Sequence, residues 1–346
     1  MRITVLMGGT SSERDVSLAS GLRVAQALRS RGHTVTAVDT VHGALTAAEE
    51  SDMLASGVMR TLPPEQEALM QMSATALPAT VRAMPQAGDV DVVFLGLHGG
   101  QGEDGTIQAL LDLTGVPYTG SGHLASALAM DKDLSKRILK DAGVPTPKWW
   151  MARLGESDAW RTAEYAAGAV AAIGMPMIVK PSKQGSTVGL SLVKREEDLA
   201  LAIAEAFRYD DEVMIEEFIA GRELTVGVLG DHTLPVGEII PKHEIYDYEC
   251  KYTAGMAVEV FPAALSDAER TEVQRLALVA FRALKLGGYA RIDFRMAHDG
   301  TFHCLEANTL PGMTELSLIP QAAAADGILF PELCERIVQL ALRGRL

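Results

Sequence analysis

Apolar residues along this chain fall into short blocks that switch between a period near two and a period near 3.6, which predicts alternating strands and helices. Ile3 to Met7 is an apolar run of strand length, followed by Gly8-Gly9-Thr10-Ser11-Ser12-Glu13-Arg14. Val16, Ala19, Leu22, Ala25 and Leu28 then recur at helical spacing until Gly32 ends them, and Val35 to Val38 is the next strand. Strand, glycine loop, helix and strand in this order open a parallel α/β sheet, whose ligands bind at the carboxyl ends of strands, where Glu13 lies. From about Val41 to Gly88 the pattern weakens. The segment is rich in Ala and Met, carries Pro63, Pro64, Pro78 and Pro85, and reads as a helical insertion with loops whose methionines could pack on a second subunit. Val90 to Leu97 resumes the sheet and runs into His98-Gly-Gly-Gln-Gly-Glu103-Asp104-Gly105, where four glycines permit close backbone approach to a ligand.

Gly143-Val-Pro145-Thr-Pro147 marks a boundary, since two prolines bar a helix from continuing. A smaller α+β module follows: a helix from about Asp158 to Ile173, strands Met177 to Lys180 and Val188 to Val193, a helix from Glu196 to Phe207, and a strand Val213 to Glu216. The first two strands flank Pro181-Ser-Lys-Gln-Gly-Ser186-Thr187, whose amides and hydroxyls suit phosphate oxygens, with Lys180 as a point charge at its entry. The last part begins near Gly221, with strands Leu224 to Leu229 and Leu234 to Ile240. Tyr246-Asp-Tyr-Glu-Cys-Lys251-Tyr252 has no clear period and reads as a mobile lid. Ser266 and Glu269 form a capping box for a helix to about Leu284, and Ile319 to Leu342 closes the chain with helices interrupted at Gly327 and Pro331.

Between those helices, two apolar-rich runs surround Asp299-Gly300, the signal of a hairpin with a two-residue type I′ turn. Pairing His298 with Thr301 and counting outward places Asp293 opposite Glu306 and Arg291 opposite Asn308. Those four polar groups then share one face, and Ile292, Phe294 and Leu305 the other. Two facing carboxylates repel, so something cationic belongs between them. A divalent metal held by Asp293, Glu306 and the Asn308 carbonyl is one answer, because Mg²⁺ accepts hard oxygens; neutralisation by Arg291 on a solvated face is the other.

Composition narrows the possibilities. The chain has 346 residues, 48% apolar and 22% charged, enough for two or three domains. A net charge of −14 with no Lys/Arg cluster disfavours nucleic acid or an anionic membrane surface as partner. Cys250, Cys304 and Cys334, odd in number and widely spaced, favour reduced thiols in a cytoplasm. The first apolar run is shorter than a signal peptide needs, and no run approaches a membrane span. Gly120, Gly122 and Ala125 match the dinucleotide pattern G-x-G-x-x-A, but the position for its acidic partner holds Asp141 inside a helical pattern, so tight helix packing explains the glycines as well.

Taken together, the motifs resemble one family, the bacterial D-alanine–D-alanine ligases of the ATP-grasp superfamily. The resemblance rests on Gly8 to Ser17, His98 to Thr106, Tyr118 to Gly122, Met130-Asp-Lys132, Lys180 to Gly189, Tyr246 to Tyr252, Gly288 to Asp293 and Leu305 to Thr314, in the family's order and covering the chain apart from 41 to 88. No Walker A sequence, G-x-x-x-x-G-K-[ST], occurs. The resemblance implies an ATP-grasp fold with a Rossmann-like N-terminal domain at 1–130, a central subdomain at 131–220 and a C-terminal subdomain at 221–346. It implies ATP-dependent joining of two D-alanines through a D-alanyl phosphate, for peptidoglycan synthesis and cell shape, in a cytoplasmic homodimer.

The residues carry over as follows. Asp293, Glu306 and Asn308 would hold two Mg²⁺ or Mn²⁺ ions; a monovalent cation could also take part. Lys132, Lys180 and Lys251 offer positive charge, with Lys251 and His98 at the substrate side, and the loop at Ser186 would lie over the phosphates. Arg291 and the Gly312 amide would stabilise the tetrahedral oxyanion. Glu13 would fix the ammonium of the first D-alanine, and Ser317 with the Leu318 amide the carboxylate of the second. Glu216, Glu217 and Ile219 match the adenine stretch and Glu223 a ribose contact, although Glu217 stands where a lysine is frequent and Leu310 where small residues are. For Lys132, Ser317 and Glu13 the ordinary alternatives are a helix surface charge, a helix N-cap and a first-turn acid. Tyr252 favours a peptide product, because relatives that make D-alanyl-D-lactate commonly lack it. The alternatives are a D-alanine–D-lactate or D-alanine–D-serine ligase, a non-catalytic ATP-binding regulator, which would have no use for Glu13, Ser186, Tyr252 and Arg291 together, and a dinucleotide-dependent dehydrogenase resting on Gly120 to Ala125 alone.

Overall fold

The computed structural model describes residues 1–56, 85, 88–155, 158–185, 187–245 and 255–343. Three sheets organise them. The first contains β1 (Arg2–Met7), β2 (Thr34–Asp39), β3 (Gly43–Ala44) and β4 (Val92–Leu95) in the order β3-β2-β1-β4. β1 runs parallel to both β2 and β4. β1 and β4 are apolar on both faces because parallel strands are covered by helices on both sides. Those helices include α1 (Arg14–Ser30), α2 (Ala47–Ser56) and α3 (Thr106–Thr114); α4 (His123–Met130) follows and packs through Ala125 and Ala129 into the core of the third sheet.

After α5 (Lys132–Asp141), capped by the Asp131 side chain, comes an antiparallel sheet of β5 (Trp149–Arg153), β6 (Met177–Pro181), β7 (Ser191–Val193) and β8 (Glu212–Glu217). Its order is β5-β8-β6-β7, and α6 (Ala163–Ile173) and α7 (Leu199–Ala206) pack on it around Val179, Ile203 and Ile215. The third sheet runs β12-β11-β9-β13-β14, with β10 beside β9. Its strands are β9 (Gly221–Leu229), β10 (His232–Thr233), β11 (Gly237–Pro241), β12 (Ala257–Val260), β13 (Tyr289–Ala297) and β14 (Phe302–Asn308). α8 (Asp267–Ala283) covers it through Val273, Leu276 and Ala280. The chain then forms α9 (Leu318–Ala325) and α10 (Phe330–Arg343), which returns to the first sheet: Leu333, Ile337 and Val338 share a core with Ile3, Leu22 and Phe94.

Several expectations change at their edges. The strand read at Leu234 to Ile240 begins only at Gly237, as β11, because Pro235 has no N–H for a ladder; β10 precedes the range read. β5 and β12 were not anticipated: the first hides behind Pro145 and Pro147, the second behind the aperiodic stretch before it. Of the 41–88 insertion, β3 and α2 are described; residues 57–84, 86 and 87 and the lid Tyr246 to Tyr252 lie outside the described residues. The fingerprint glycine Gly120 serves packing, since a Cβ on Gly288 would lie 3.1 Å from its backbone nitrogen.

The hairpin β13–β14 carries two corrections that cancel. The turn is one residue longer than read: Ala297, not His298, pairs with Thr301, and Gly300 takes a φ of 86°. A bulge then shifts the register, so that Phe294 faces Cys304 while Asp293 still faces Glu306 and Arg291 still faces Asn308. Cys304 therefore takes the core position expected of Leu305, and Leu305 lines the cleft described below.

The capping box at α8 is complete: the Ser266 hydroxyl accepts from Glu269 N at 3.3 Å, and Ser266 N donates to Glu269 Oε2 at 2.7 Å. Replacing Ser266 with Ala should lower stability by about 1 kcal/mol in urea unfolding, leaving the sheet register unaltered.

Candidate active site

The second and third sheets face each other across an open cleft. Ile178, Lys180, Glu216, Glu217, Phe218 and Ile219 line one wall; Glu223, Arg291, Asp293, Arg295, Leu305 and Glu306 line the other. Lys132 and Gly185 stand at its end.

Charge on the first wall is organised around Glu216, which is 3% exposed. Its Oε2 meets Lys180 Nζ at 2.7 Å and its Oε1 meets Lys136 Nζ at 2.6 Å. Burial alone would raise the Glu216 carboxyl, but the two ammonium groups outweigh it and hold the group below the usual glutamate range. With both oxygens engaged by lysines, the Glu216 carboxylate acts as their counter-ion while lining the cleft in the stretch expected to meet adenine. Glu217 Oε2 accepts from Lys148 N at 3.2 Å, so this acid too is tied to its own backbone neighbourhood. Glu223 pairs with Arg295 at 3.1 Å, and Arg295 also donates to the Ile219 and Gly221 carbonyls. Arg295 was not singled out from sequence, yet its place two residues after Asp293 on β13 puts it on the cleft face.

On the second wall Arg291 donates to Asp293 through Nε and Nη2, each at 2.9 Å, while Thr225 Oγ1 and Asn308 Nδ2 donate to the same carboxylate. Glu306 meets Lys132 Nζ at 3.3 Å. Lys132, 6% exposed, also donates to Gln184 O at 2.7 Å, so it is a cleft residue and not a helix surface charge. Among the described residues no three His, Cys, Asp or Glu side chains come together as a metal cage. Two carboxylates and the Asn308 carboxamide do share one face. That donor set fits Mg²⁺ when phosphate and water complete the octahedron.

The first sheet closes the end of the cleft. The Glu13 carboxylate is wedged where only glycines fit, since a Cβ on Gly99 would lie 2.8 Å from Oε2 and one on Gly185 3.0 Å from it. His98 is buried; its Nδ1 donates to Leu310 O at 2.7 Å and its Nε2 accepts from Ser20 Oγ at 2.9 Å. Burial pushes this imidazole below the usual histidine range, which keeps it neutral. Ser20 Oγ accepts in turn from Met313 N at 3.1 Å, and Glu103 accepts from Leu310 N at 3.1 Å and Gly99 N at 2.8 Å. Ser20, His98 and Glu103 thus pin the loop containing Gly312. His98 is expected at the substrate, and here both its ring nitrogens hold protein groups. Ser20 sits inside a helix pattern and gave no signal of this role.

Ser317 occupies the N-cap position of α9 without a capping bond; its Oγ instead accepts from Thr314 N at 3.1 Å and lies against Gly312. Leu318 opens the helix, its amide in the first turn. Ser186, Lys251 and Tyr252 lie outside the described residues.

Comparisons with known proteins bear on the family and the fold. The family model described as D-ala D-ala ligase N-terminus matches residues 2–121, and that described as D-ala D-ala ligase C-terminus matches residues 138–339. The D-alanine–D-alanine ligase of Geotalea uraniireducens is 42% identical over 340 residues, covering 98% of this chain and 95% of that protein. That of Syntrophotalea carbinolica is 41% identical over 337 residues, covering 97% and 95%. The crystal structure of the Bacillus anthracis D-alanine–D-alanine ligase complexed with ATP superposes with a TM-score of 0.74 at 30% identity, covering 99% of this chain and 98% of that one.

Burial, with the Glu13 charge adding to it, pushes Glu103 up to about 7. A carboxyl raised in the folded state binds its proton more tightly there than in the unfolded chain, so stability falls as pH rises between about 4.5 and about 7 and levels off above. In urea unfolding at pH 5 and pH 7, Glu103→Gln should lose that part of the slope, at most about 1.4 kcal/mol per pH unit. An unchanged slope would remove Glu103 from the titration.

Proposed function

The chain belongs to the D-alanine–D-alanine ligase family, and we propose that it joins two D-alanine molecules into D-alanyl-D-alanine, converting ATP to ADP and phosphate. The observation that carries this reading is one cleft with Lys132 and Lys180 beside Asp293, Glu306 and Asn308 at a nucleotide's phosphate end, facing Glu13 and the Gly312 loop at a position suited to an amino acid.

Phosphoryl transfer depends on alignment and charge neutralisation more than on covalent help from the protein. The D-alanine carboxylate attacks the γ-phosphate to give D-alanyl phosphate, and the amine of the second D-alanine then attacks its carbonyl, expelling phosphate. Mg²⁺ held by Asp293, Glu306 and Asn308 would neutralise the β- and γ-phosphates, with Mn²⁺ as a substitute. Lys132 and Lys180 add fixed positive charge, and Ile219 and Phe218 give the base an apolar wall. Glu223, held by Arg295, faces the ribose.

Glu13 holds the ammonium of the first D-alanine. Arg291, anchored beside Asp293, and the Gly312 amide donate to the oxyanion as it forms, where fixed donors count most. Ser317 and the Leu318 amide receive the carboxylate of the second D-alanine. To Ser186, Lys251 and Tyr252 we assign closure over the phosphates and the intermediate, on the family's pattern. Tyr252 makes the amine of D-alanine, not the hydroxyl of D-lactate, the expected acceptor. We place the enzyme in the cytoplasm, where its free thiols Cys304 and Cys334 stay reduced. Among the described residues no helix is long and apolar enough to cross a membrane. We propose a homodimer, for which the exposed Leu113 and Leu124 on α3 and α4 offer apolar contact.

The direct test is phosphate release from ATP and Mg²⁺ with D-alanine alone and with D-alanine plus D-lactate, products being identified by mass. D-alanyl-D-alanine from D-alanine alone is expected; release only from the mixture, giving the ester, overturns the acceptor assignment. Arg291→Ala should lower kcat by about 10²–10³-fold while the circular dichroism spectrum is retained. Wild-type turnover by this variant removes Arg291 from the mechanism.

A further inference from the structure

Lys136 does not line the cleft, and its side chain is completely buried. It is nevertheless one of three charged groups in a chain that ends at the cleft wall: Lys136 Nζ to Glu216 Oε1 at 2.6 Å, and Glu216 Oε2 to Lys180 Nζ at 2.7 Å. Lys180 alone of the two lysines reaches the cleft. Lys136 is held from behind as well, donating to Pro147 O at 3.2 Å and lying 5.3 Å from the centre of the Trp149 ring. It stands one helical turn after Lys132 on α5, so a single helix feeds positive charge to both walls, Lys132 toward Glu306 and Lys136 toward Glu216.

The arithmetic of the cluster is one carboxylate against two ammonium groups. A lone Glu216–Lys180 pair would be neutral, and in a site this dry the carboxylate would cancel most of the charge that Lys180 offers a ligand. Sharing Glu216 between two lysines leaves one positive charge over, and the lysine at the cleft is where it can be used. We propose that Lys136 is a positioning residue for nucleotide binding: by occupying one oxygen of Glu216 from behind, it leaves Lys180 with net positive charge for an anionic phosphate group. The proposal rests on the reading of the cleft as an ATP site, and it assigns to α5 a function beyond the contacts of Lys132.

The test is calorimetric binding of adenosine, ADP and ATP to the full chain, with no turnover needed. Lys136→Met keeps the length of the buried side chain and removes its charge. ADP and ATP affinities should fall at least tenfold, while adenosine affinity stays within about twofold, because only phosphates sense the charge that is lost. Equal losses for adenosine and ADP would mean that Lys136 merely supports the wall, and no loss for ADP would mean that its charge is not felt; either overturns the proposal. Should Lys136→Met not fold, the double variant Lys136→Met/Glu216→Gln decides. It removes one charge of each sign and leaves Lys180 cationic, so the wild-type preference for ADP over adenosine should return. Loss of that preference in the folded double variant overturns the proposal. Failure of the wild-type chain to bind any of the three would strike the nucleotide reading itself.

Discussion

Two carboxylates, Asp293 and Glu306, face each other across neighbouring antiparallel strands, and the rest of the cleft is built to tolerate them. Like charges opposite one another destabilise a sheet, and burial against the third sheet's own core would worsen the repulsion. The chain answers from two sides. Arg291 grips Asp293 from the same strand, and Lys132 approaches Glu306 from the start of α5, a helix that follows the first sheet in the chain. Because Lys132 also holds the Gln184 carbonyl, this one ammonium joins the hairpin to the loop that would cover phosphates. Removing one partner of a buried pair typically costs about 3–5 kcal/mol, whereas a ligand that brings both signs of charge can replace both partners. That asymmetry makes the face suited to a ligand that carries both signs of charge and a poor place for single substitutions.

The hairpin shows how much of the site the sequence discloses. Apolar alternation about Asp299-Gly300 is enough to place Asp293 against Glu306, yet it does so through a turn that is one residue too short and a ladder without its bulge. Both errors have one physical origin. Neither the αL residue of a three-residue loop nor an extra residue in a strand changes the local apolar count, so the pattern cannot register them. What distinguishes the true register is the fit of Cys304, not Leu305, beneath α8, and that is a tertiary contact.

The same limit governs the residues that gave no signal. Ser20 and Lys136 lie within helical stretches whose local chemistry is satisfied by bland roles, and Glu103, although in a glycine loop read as approaching a ligand, gave no sign of the loop it holds. Their partners are distant in the chain: Met313 for Ser20, Leu310 for Glu103 and Glu216 for Lys136. A polar side chain inside an apolar helix pattern is a hint that burial with a partner is coming, but only the fold names the partner. By contrast, Glu13 and Lys180 sit in a glycine loop and near a strand end, where the architecture itself exposes side chains to a ligand, and Asp293, in the middle of β13, is found through the hairpin's alternation.

Electrostatics completes the argument. A chain of net charge −14 that takes up a polyanion must concentrate positive charge locally, and it must do so without leaving isolated buried cations. In and behind the cleft walls, Lys132, Lys136, Lys180, Arg291 and Arg295 are each paired with a carboxylate, that of Glu306, Glu216, Asp293 or Glu223. Around Glu216 two lysines share one carboxylate, and that is where a surplus positive charge arises. Phosphates entering the cleft therefore meet a wall whose charges are paired well enough to fold and whose surplus lies beside Lys180. Asp293, Glu306 and Asn308 would hold a divalent ion whose charge adds to this one, and Arg291 and Lys132, anchored beside the same carboxylates, stand ready as donors without being isolated buried cations.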